Sequence, residues 1–342
     1  VGVRLGVPVS LRKDLGFGLT IARRRPFSLL YQVTNRCNLT CSFCDFWPNG
    51  APPSQELTVE EVERVSTELA DLGTFLVSIE GGEPTIRQDL PALVAAFTRR
   101  HLTVLYTNGT LLDDARIGAL FDAGLDQVGV SIDWAEESRH DDKRGKARTA
   151  EKAWRAVEAL RRAAPHGGRQ VHVMTVVMAS NEHQLPELLD RSAAAGVGHM
   201  FTLLSTHGDR RNGEVDAPAQ PGVGARLLAL RDRHAHVRSF GVYLEGIDPF
   251  LRGEVLPACA AGRQGANLDH VGNLSPCIEK LGQPVGNVRE VSVLVLWERL
   301  RAHPAPKGCN DCWTLCRGLG QALGSGGSVR ATWELSTRLR SW

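Results

Sequence analysis

Cys37, Cys41 and Cys44 stand in the run Cys-Asn-Leu-Thr-Cys-Ser-Phe-Cys. Thiolates bind iron or zinc, and an iron–sulfur cluster usually takes four of them. Three therefore leave one position open or filled from a distance, and an open iron is a place for chemistry. Zinc, whose structural sites also take four ligands, is the competing reading. The other five of the eight cysteines, Cys259, Cys277, Cys309, Cys312 and Cys316, gather in the last quarter of the chain. Disulfide scaffolds belong to short secreted chains, so clustered cysteines in a chain of this size point to metal and to a reducing cytoplasm.

The elements that would position these thiols follow from apolar periodicity. Strand patterns at 29–34, 75–80, 103–107, 127–132, 171–177 and 199–203 alternate with helical patterns at 58–72, 89–99, 112–123, 149–163 and 184–195. Thr58 with Glu61 forms a capping box, and Gly73, Gly124 and Gly196 each follow a helix. The alternation predicts an α/β fold, a partial (β/α)6 TIM-type barrel with a small C-terminal cysteine-rich module. Sites in such barrels lie at the carboxyl ends of strands, and Cys37 follows the first strand. A long loop over 207–224, a helix near 224–235 and a strand near 242–244 would complete the barrel. The expected division is 1–27 as an N-terminal extension, 28–245 as barrel, 246–320 as cysteine-rich module and 321–342 as tail. Residues 11–26 read as a segment packed over the barrel or lying on a membrane surface, with Gly16 and Gly18 arguing against a strong helix. Residues 318–342, with Trp333 and Trp342, read as a surface helix.

Composition excludes several classes. The 342 residues carry a net charge of +2, which gives no global field for nucleic acid. No apolar run is long enough for a transmembrane segment, and no signal peptide is visible. The chain begins at Val1 rather than Met, which suggests trimming.

Directly after the second strand comes Gly81-Gly82-Glu83-Pro84. With the cysteine triad, this run resembles the radical S-adenosylmethionine (radical SAM) superfamily. The resemblance implies that Cys37, Cys41 and Cys44 hold a four-iron cluster whose fourth iron is chelated by SAM. One electron would then release a 5′-deoxyadenosyl radical. Phe43 fits the motif, and the Gly81–Pro84 run would receive the amino group of SAM. Asn108 in Thr-Asn-Gly, Ser131 in Ser-Ile-Asp, Arg144 in a loop before Gly145, and Asn181 after the fifth strand are further implied SAM contacts. Arginine suits a carboxylate because its planar fork binds two oxygens at once. For each the bland reading is a cap or turn residue. Trp134-Ala135-Glu136 after Asp133 departs from relatives that act on peptides.

The second cysteine group resembles the C-terminal SPASM and twitch domains of that superfamily. A hairpin over 267–277, turning at Gly272-Asn273, lies between Cys259 and Cys277, and a helix near 291–301 precedes Cys309. The resemblance implies one auxiliary four-iron cluster on Cys259, Cys277, Cys309 and Cys312, with Cys316 as surplus or as a replacement for Cys312. A zinc ribbon is the alternative. An auxiliary cluster would carry an electron, and a net oxidation would need a base, for which Glu279 and Asp269 are nearest in sequence. The implied enzyme abstracts hydrogen from an unactivated carbon and oxidises or crosslinks it, fed by a donor such as flavodoxin or ferredoxin. About thirty residues before the first strand cannot fold into a leader-binding domain, which favours a small molecule or a partner-delivered peptide. A redox-neutral rearrangement and a non-catalytic zinc protein are the alternatives.

Overall fold

The computed structural model describes residues 9–165, 170–206, 208, 217–304, 306–324 and 334. Six parallel strands form the barrel wall: β1 (Ser28–Thr34), β2 (Leu76–Gly81), β3 (Leu102–Thr107), β4 (Gln127–Ser131), β5 (Val171–Val177) and β6 (Gly198–Leu203). Between them run α2 (Val59–Leu72), α3 (Leu90–Thr98), α4 (Asp114–Asp122), α5 (Glu137–Arg144), α6 (Thr149–Ala163) and α7 (Leu185–Ala194). Helix α1 (Val9–Ala22) precedes β1. The Thr58–Glu61 capping box forms at the start of α2, and Gly73, Gly124 and Gly196 take positive φ.

Strand β7 (Gly265–Leu268) pairs parallel with β1, and β8 (Asn273–Ser275) and β9 (Gly286–Asn287) follow antiparallel. The sheet is open, with strand order β6-β5-β4-β3-β2-β1-β7-β8-β9. One sheet therefore crosses residue 245. Helices α8 (Val223–Arg233), α9 (Gly241–Glu245) and α10 (Ile247–Leu251) follow β6. Helices α11 (Val293–Ala302) and α12 (Leu315–Gly324) close the described C-terminal part.

Several expectations need correction. Residues 242–244 are helical, in α9. The edge of β6 is met instead by a bridge from His199 to Val237, and Tyr243 turns inward, its hydroxyl accepting Leu203 N at 2.9 Å. Helix α1 forms despite its glycines. A Cβ on Gly16 would lie 2.5 Å from Thr74 Oγ1, so glycine lets the helix settle on the lower rim of the sheet. Phe17 packs edge-on against Phe27, and Lys13 Nζ reaches Asp126 at 2.6 Å. The outer face of α1 leaves Leu11, Leu15 and Leu19 exposed. Arg144 ends α5 rather than sitting in a loop, with Gly145 at φ 71° as the helix stop. Of the expected surface helix, α12 covers the start, while Trp333 and Trp342 lie outside the described residues. So does most of the 207–224 loop. Among the described residues, no helix is long and apolar enough to cross a membrane.

Candidate functional site

The loop after β1 carries the first thiols and is pinned from three sides. On the β2 side, Gly82 N donates to Thr34 O at 2.7 Å and Glu83 N to Arg36 O at 2.9 Å. A Cβ on Gly81 would collide with Thr34 O and one on Gly82 with Arg36 O, so only glycines allow this approach. On the α5 side, Thr40 N donates to Arg144 O and Ser42 N to Lys143 O. On the β3 side, Asn108 Nδ2 donates to Asn38 Oδ1 at 3.0 Å, and Asn38 Nδ2 to Thr110 Oγ1 at 2.8 Å. The motif glycines thus act on the cysteine loop itself.

Beneath the thiols lies an apolar bed of Leu39, Phe43, Trp134, Met178 and Leu204. Phe43 packs on Trp134 with ring centroids 5.9 Å apart, and the Arg144 guanidinium lies 5.4 Å from the Phe43 ring centre. Burial pushes the Cys37 thiol up to about 12, against the pull of the Leu39 backbone. Burial also raises Cys41, although the charge of Arg144 opposes it.

The expected SAM contacts divide into two groups. Cys37, Cys41, Cys44, Phe43, Gly81, Gly82, Glu83, Asn108, Ser131 and Arg144 line one cavity of about 230 Å3 at the carboxyl ends of the strands. Within it, Glu83 has both oxygens engaged by the protein. Thr85 and Thr107 hydroxyls donate to Oε1, and Asn108 N donates to Oε2 at 2.8 Å. Glu83 is thereby a strut between the ends of β2 and β3, and Pro84 turns the chain behind it. Asn181 stands apart. Its Oδ1 accepts Met178 N, and its Nδ2 donates to Asp133 O and Val176 O, so the whole carboxamide is used in fixing a turn. It does not line the cavity. The fork of Arg144 is also committed, with Nε and Nη2 on Asp133.

Sequence reasoning passed over Asn38, Asp133 and Trp134 as site residues. Asn38 sits inside the cysteine motif, and Asp133 ends the Ser-Ile-Asp run. Trp134 directly follows that run.

The second thiol group is also gathered. Cys259, Cys277, Cys309, Cys312 and Cys316 border a smaller cavity of about 70 Å3, together with Glu279. Lys280 Nζ on Asp311 at 2.7 Å ties the Cys277 turn to the Cys309–Cys312 turn. Arg317 bonds Cys312 O and Pro257 O, drawing the last turn toward Cys259. Trp313 Nε1 donates to Tyr243 O at 2.7 Å, which anchors the module on α9. Burial raises the thiols of Cys277, Cys309 and Cys312, and the charge of Cys316 adds to it for Cys277 and Cys312. Asp269 is corrected. Its carboxylate accepts Val271 N, Asn273 N and Asn273 Nδ2, so it is a turn residue of the β7–β8 hairpin and borders neither thiol cavity.

Between the two thiol cavities lies the lumen of the barrel, a cavity of about 590 Å3. It shares Glu80, Tyr106, Ser131 and Val176 with the first thiol cavity. It shares Ser28, Leu30, Ile278 and Cys316 with the second. Both donor sets consist of thiols that line a cavity. Thiols spread around a cavity suit a polynuclear iron–sulfur group, in which each iron takes its own thiolate.

Fold and site define an open β/α barrel with one group of thiols at the strand ends and a second across the lumen. Residues 31–192 match the radical SAM superfamily model. The chain is 26% identical over 313 residues to a PqqA peptide cyclase from Granulibacter bethesdensis, covering 85% of this chain and 82% of that protein. It is 28% identical over 293 residues to an AdoMet-dependent heme synthase from Methanosarcina barkeri, covering 80% of this chain and 82% of that one. In fold it is similar to Streptococcus suis SuiB, with a TM-score of 0.66 and 18% identity over 84% of this chain and 69% of SuiB. The barrel portion of the chain over residues 31–192 is a radical SAM domain. The chain is an enzyme that uses SAM and a four-iron cluster.

Proposed function

We propose that Cys37, Cys41 and Cys44 hold the SAM-binding cluster and that the 230 Å3 cavity receives SAM itself. Gly81 and Gly82 hold the cysteine loop, Glu83 and Pro84 brace it, Asn108 borders the cavity with its carboxamide bonded to Asn38 and Thr110, and Ser131 offers its hydroxyl to the cofactor. Arg144 contributes charge beside Cys41, its nearest guanidinium nitrogen 3.9 Å from Sγ, and Phe43 and Trp134 keep that side dry. Asn181 positions the Asp133 segment. When bound, SAM and its cluster supply a 5′-deoxyadenosyl radical that takes a hydrogen atom from the substrate.

Cys259, Cys277, Cys309 and Cys312 are assigned to the auxiliary cluster, with Cys316 at the border of the lumen. Glu279, buried beside these thiols, is the candidate base of an oxidation; it borders the auxiliary cavity and not the lumen. The working division is a barrel over 28–245 and an auxiliary module over 246–320, flanked by 1–27 and 321–342. One observation carries this reading: a single lumen shares walls with both thiol cavities, so a substrate inside it faces both.

The substrate proposed is a peptide, oxidised or crosslinked at an unactivated carbon. The relative named for peptide cyclisation supports it over most of its length. The relative named as a heme synthase keeps a small-molecule substrate as the second reading. Eight cysteines outside any disulfide suit a reducing cytoplasm, where a flavodoxin or ferredoxin would deliver electrons.

Anaerobic reconstitution with iron and sulfide tests this. The expected result is a brown protein that makes 5′-deoxyadenosine from SAM and a reductant. A colourless protein that takes up zinc and makes none would overturn it.

A further inference from the structure

Helix α1 faces two ways. Its inner side packs on the lower rim of the sheet, where Phe17 and Ile21 border the lumen and Lys13 holds Asp126. Its outer side shows Leu11, Arg12, Leu15, Gly18, Leu19 and Ala22. Leu11, Leu15 and Leu19 recur every four residues and so form one apolar stripe. Six large apolar side chains are exposed among the described residues, and three of them are in this stripe. Single exposed leucines need no explanation, whereas a contiguous row of them marks a surface that meets something.

Positive charge collects at the end of the row. Arg23, Arg24 and Arg25 follow Ala22 and all are exposed. A helix-stop turn fixes them, with Arg25 N donating to Thr20 O at 3.1 Å and Arg24 N to Ile21 O at 2.9 Å. Arg24 takes φ 53° in this turn, the left-handed position where glycine is usual. Glycine would sit there with less strain, yet the position carries a cation. An Arg25 guanidinium nitrogen donates to Leu72 O at 3.4 Å, which orients the turn. Arg12 adds a fourth cation on the outer side. Asp14, the acidic residue of α1, is half-buried and borders the lumen instead.

We propose that the outer face of α1, with Arg12 and the arginine turn, is a docking surface for an anionic lipid bilayer. The leucines enter the acyl boundary and the arginines meet the phosphate headgroups. Arginine suits that contact because its planar fork binds two phosphate oxygens at once. A short apolar row and a small basic cluster are each weak signals, so together they give reversible attachment rather than insertion. A second copy of the chain fits this face less well. Two-fold pairing of α1 on α1 brings Arg12 against the arginine turn or the two turns against each other, and like charges oppose both arrangements. Because α1 lies at the lower rim, attachment holds the carboxyl ends of the strands, with the first thiols, away from the bilayer.

Co-sedimentation of the purified chain with vesicles tests this, using phosphatidylcholine alone or mixed with phosphatidylglycerol. The chain should pellet with the phosphatidylglycerol vesicles, stay in solution with phosphatidylcholine alone, and be released as salt rises. Arg23→Gln with Arg24→Gln should weaken binding about 25-fold, at about fivefold for each arginine near an anionic surface. Leu15→Gln with Leu19→Gln should weaken it about tenfold. All four side chains are exposed, so both variants should keep the circular dichroism and unfolding curve of the unsubstituted chain. Equal binding to the two kinds of vesicle would overturn the proposal, as would binding that survives the arginine variant. Absence of binding would overturn it too and leave the face to a protein partner. So would a dimer in gel filtration that Leu15→Gln with Leu19→Gln dissolves, since the face would then belong to a second copy.

Discussion

Arg144 donates through Nε and Nη2 to a single carboxylate oxygen of Asp133, while its Nη1 lies 3.9 Å from Cys41 Sγ. Both partners are buried, and the pair ties the end of α5 to the segment after β4 directly under the cysteine loop. Asp133 is not idle on its other side, where Oδ1 accepts Val176 N at 2.9 Å.

Removing the cation would strand a buried carboxylate, which typically costs about 3–5 kcal/mol. Arg144→Met is therefore expected to lower unfolding stability by roughly 3 kcal/mol. Arg144→Met with Asp133→Asn should lose less than the two single variants together, because neither charge is left alone. Urea unfolding without SAM measures this. If Arg144 served only the cofactor, stability in the absence of SAM would not change.

How much of this was legible in the sequence depends on how local the signal is. The six strands and five intervening helices were legible because each buries one apolar face at a regular period, and their ends shifted by only a residue or two. The first thiol group was legible because its three cysteines stand at short spacing, and the second because all the remaining cysteines gather in the last quarter of the chain. What was hidden is tertiary. The 242–244 run has strand-like residues, but Tyr243 and Trp313 fix it as a helix through partners 40 and 70 residues away. Asn108, Asn181 and Asp269 are equally plausible as contacts or turn residues by type. Only the donors around each carboxyl or amide show that Asn181 and Asp269 are turn residues.

Gly82 is the point where the β2 loop touches the cysteine loop. A methyl group there would meet Arg36 O and come close to Asn35 O, neither of which can move without shifting Cys37. Overpacking at a fixed backbone costs roughly 1–3 kcal/mol. Gly82→Ala is expected to lose stability on that scale and to reconstitute with less iron at the first site. Unfolding curves and iron content on matched samples check it, and unchanged iron would show that the loop is held elsewhere.

Acid should weaken the fold through its buried histidines. Burial lowers His101 to about 4 and His172 to about 3, and His140 and His199 shift the same way. An unfolded histidine takes its proton near pH 6.5. Between that pH and the lowered folded value, the unfolded state therefore binds more protons, and stability falls as pH falls. Each such histidine should cost roughly 2 kcal/mol between pH 7 and pH 5. Among the described residues His172 has no hydrogen-bond partner on either ring nitrogen, and it packs edge-on against Tyr106. His172→Phe should therefore keep stability at pH 7 and flatten the pH 7 to 5 loss by about that amount. Paired urea titrations at the two pH values measure the difference, and parallel losses in both proteins would sink the idea.

The two thiol sites should fail in different ways. Cys37→Ala, Cys41→Ala or Cys44→Ala is expected to abolish 5′-deoxyadenosine formation, because the first cavity has no other thiol in its lining. Cys309→Ala should spare uncoupled SAM cleavage and impair product formation, since that thiol borders only the second cavity. The choice between the last two cysteines follows from where they face. Cys312 is buried among the auxiliary thiols and its carbonyl is held by Arg317. Cys316 borders both the auxiliary cavity and the lumen, with its sulfur 3.1 Å from Thr314 Oγ1. Cys312→Ala is therefore expected to bring iron from about eight per chain to about four, while Cys316→Ala keeps about eight. Iron and sulfide analysis with Mössbauer spectroscopy decides it. Loss of the second cluster from the Cys316 variant alone would make the lumen-facing thiol the ligand and Cys312 the surplus one.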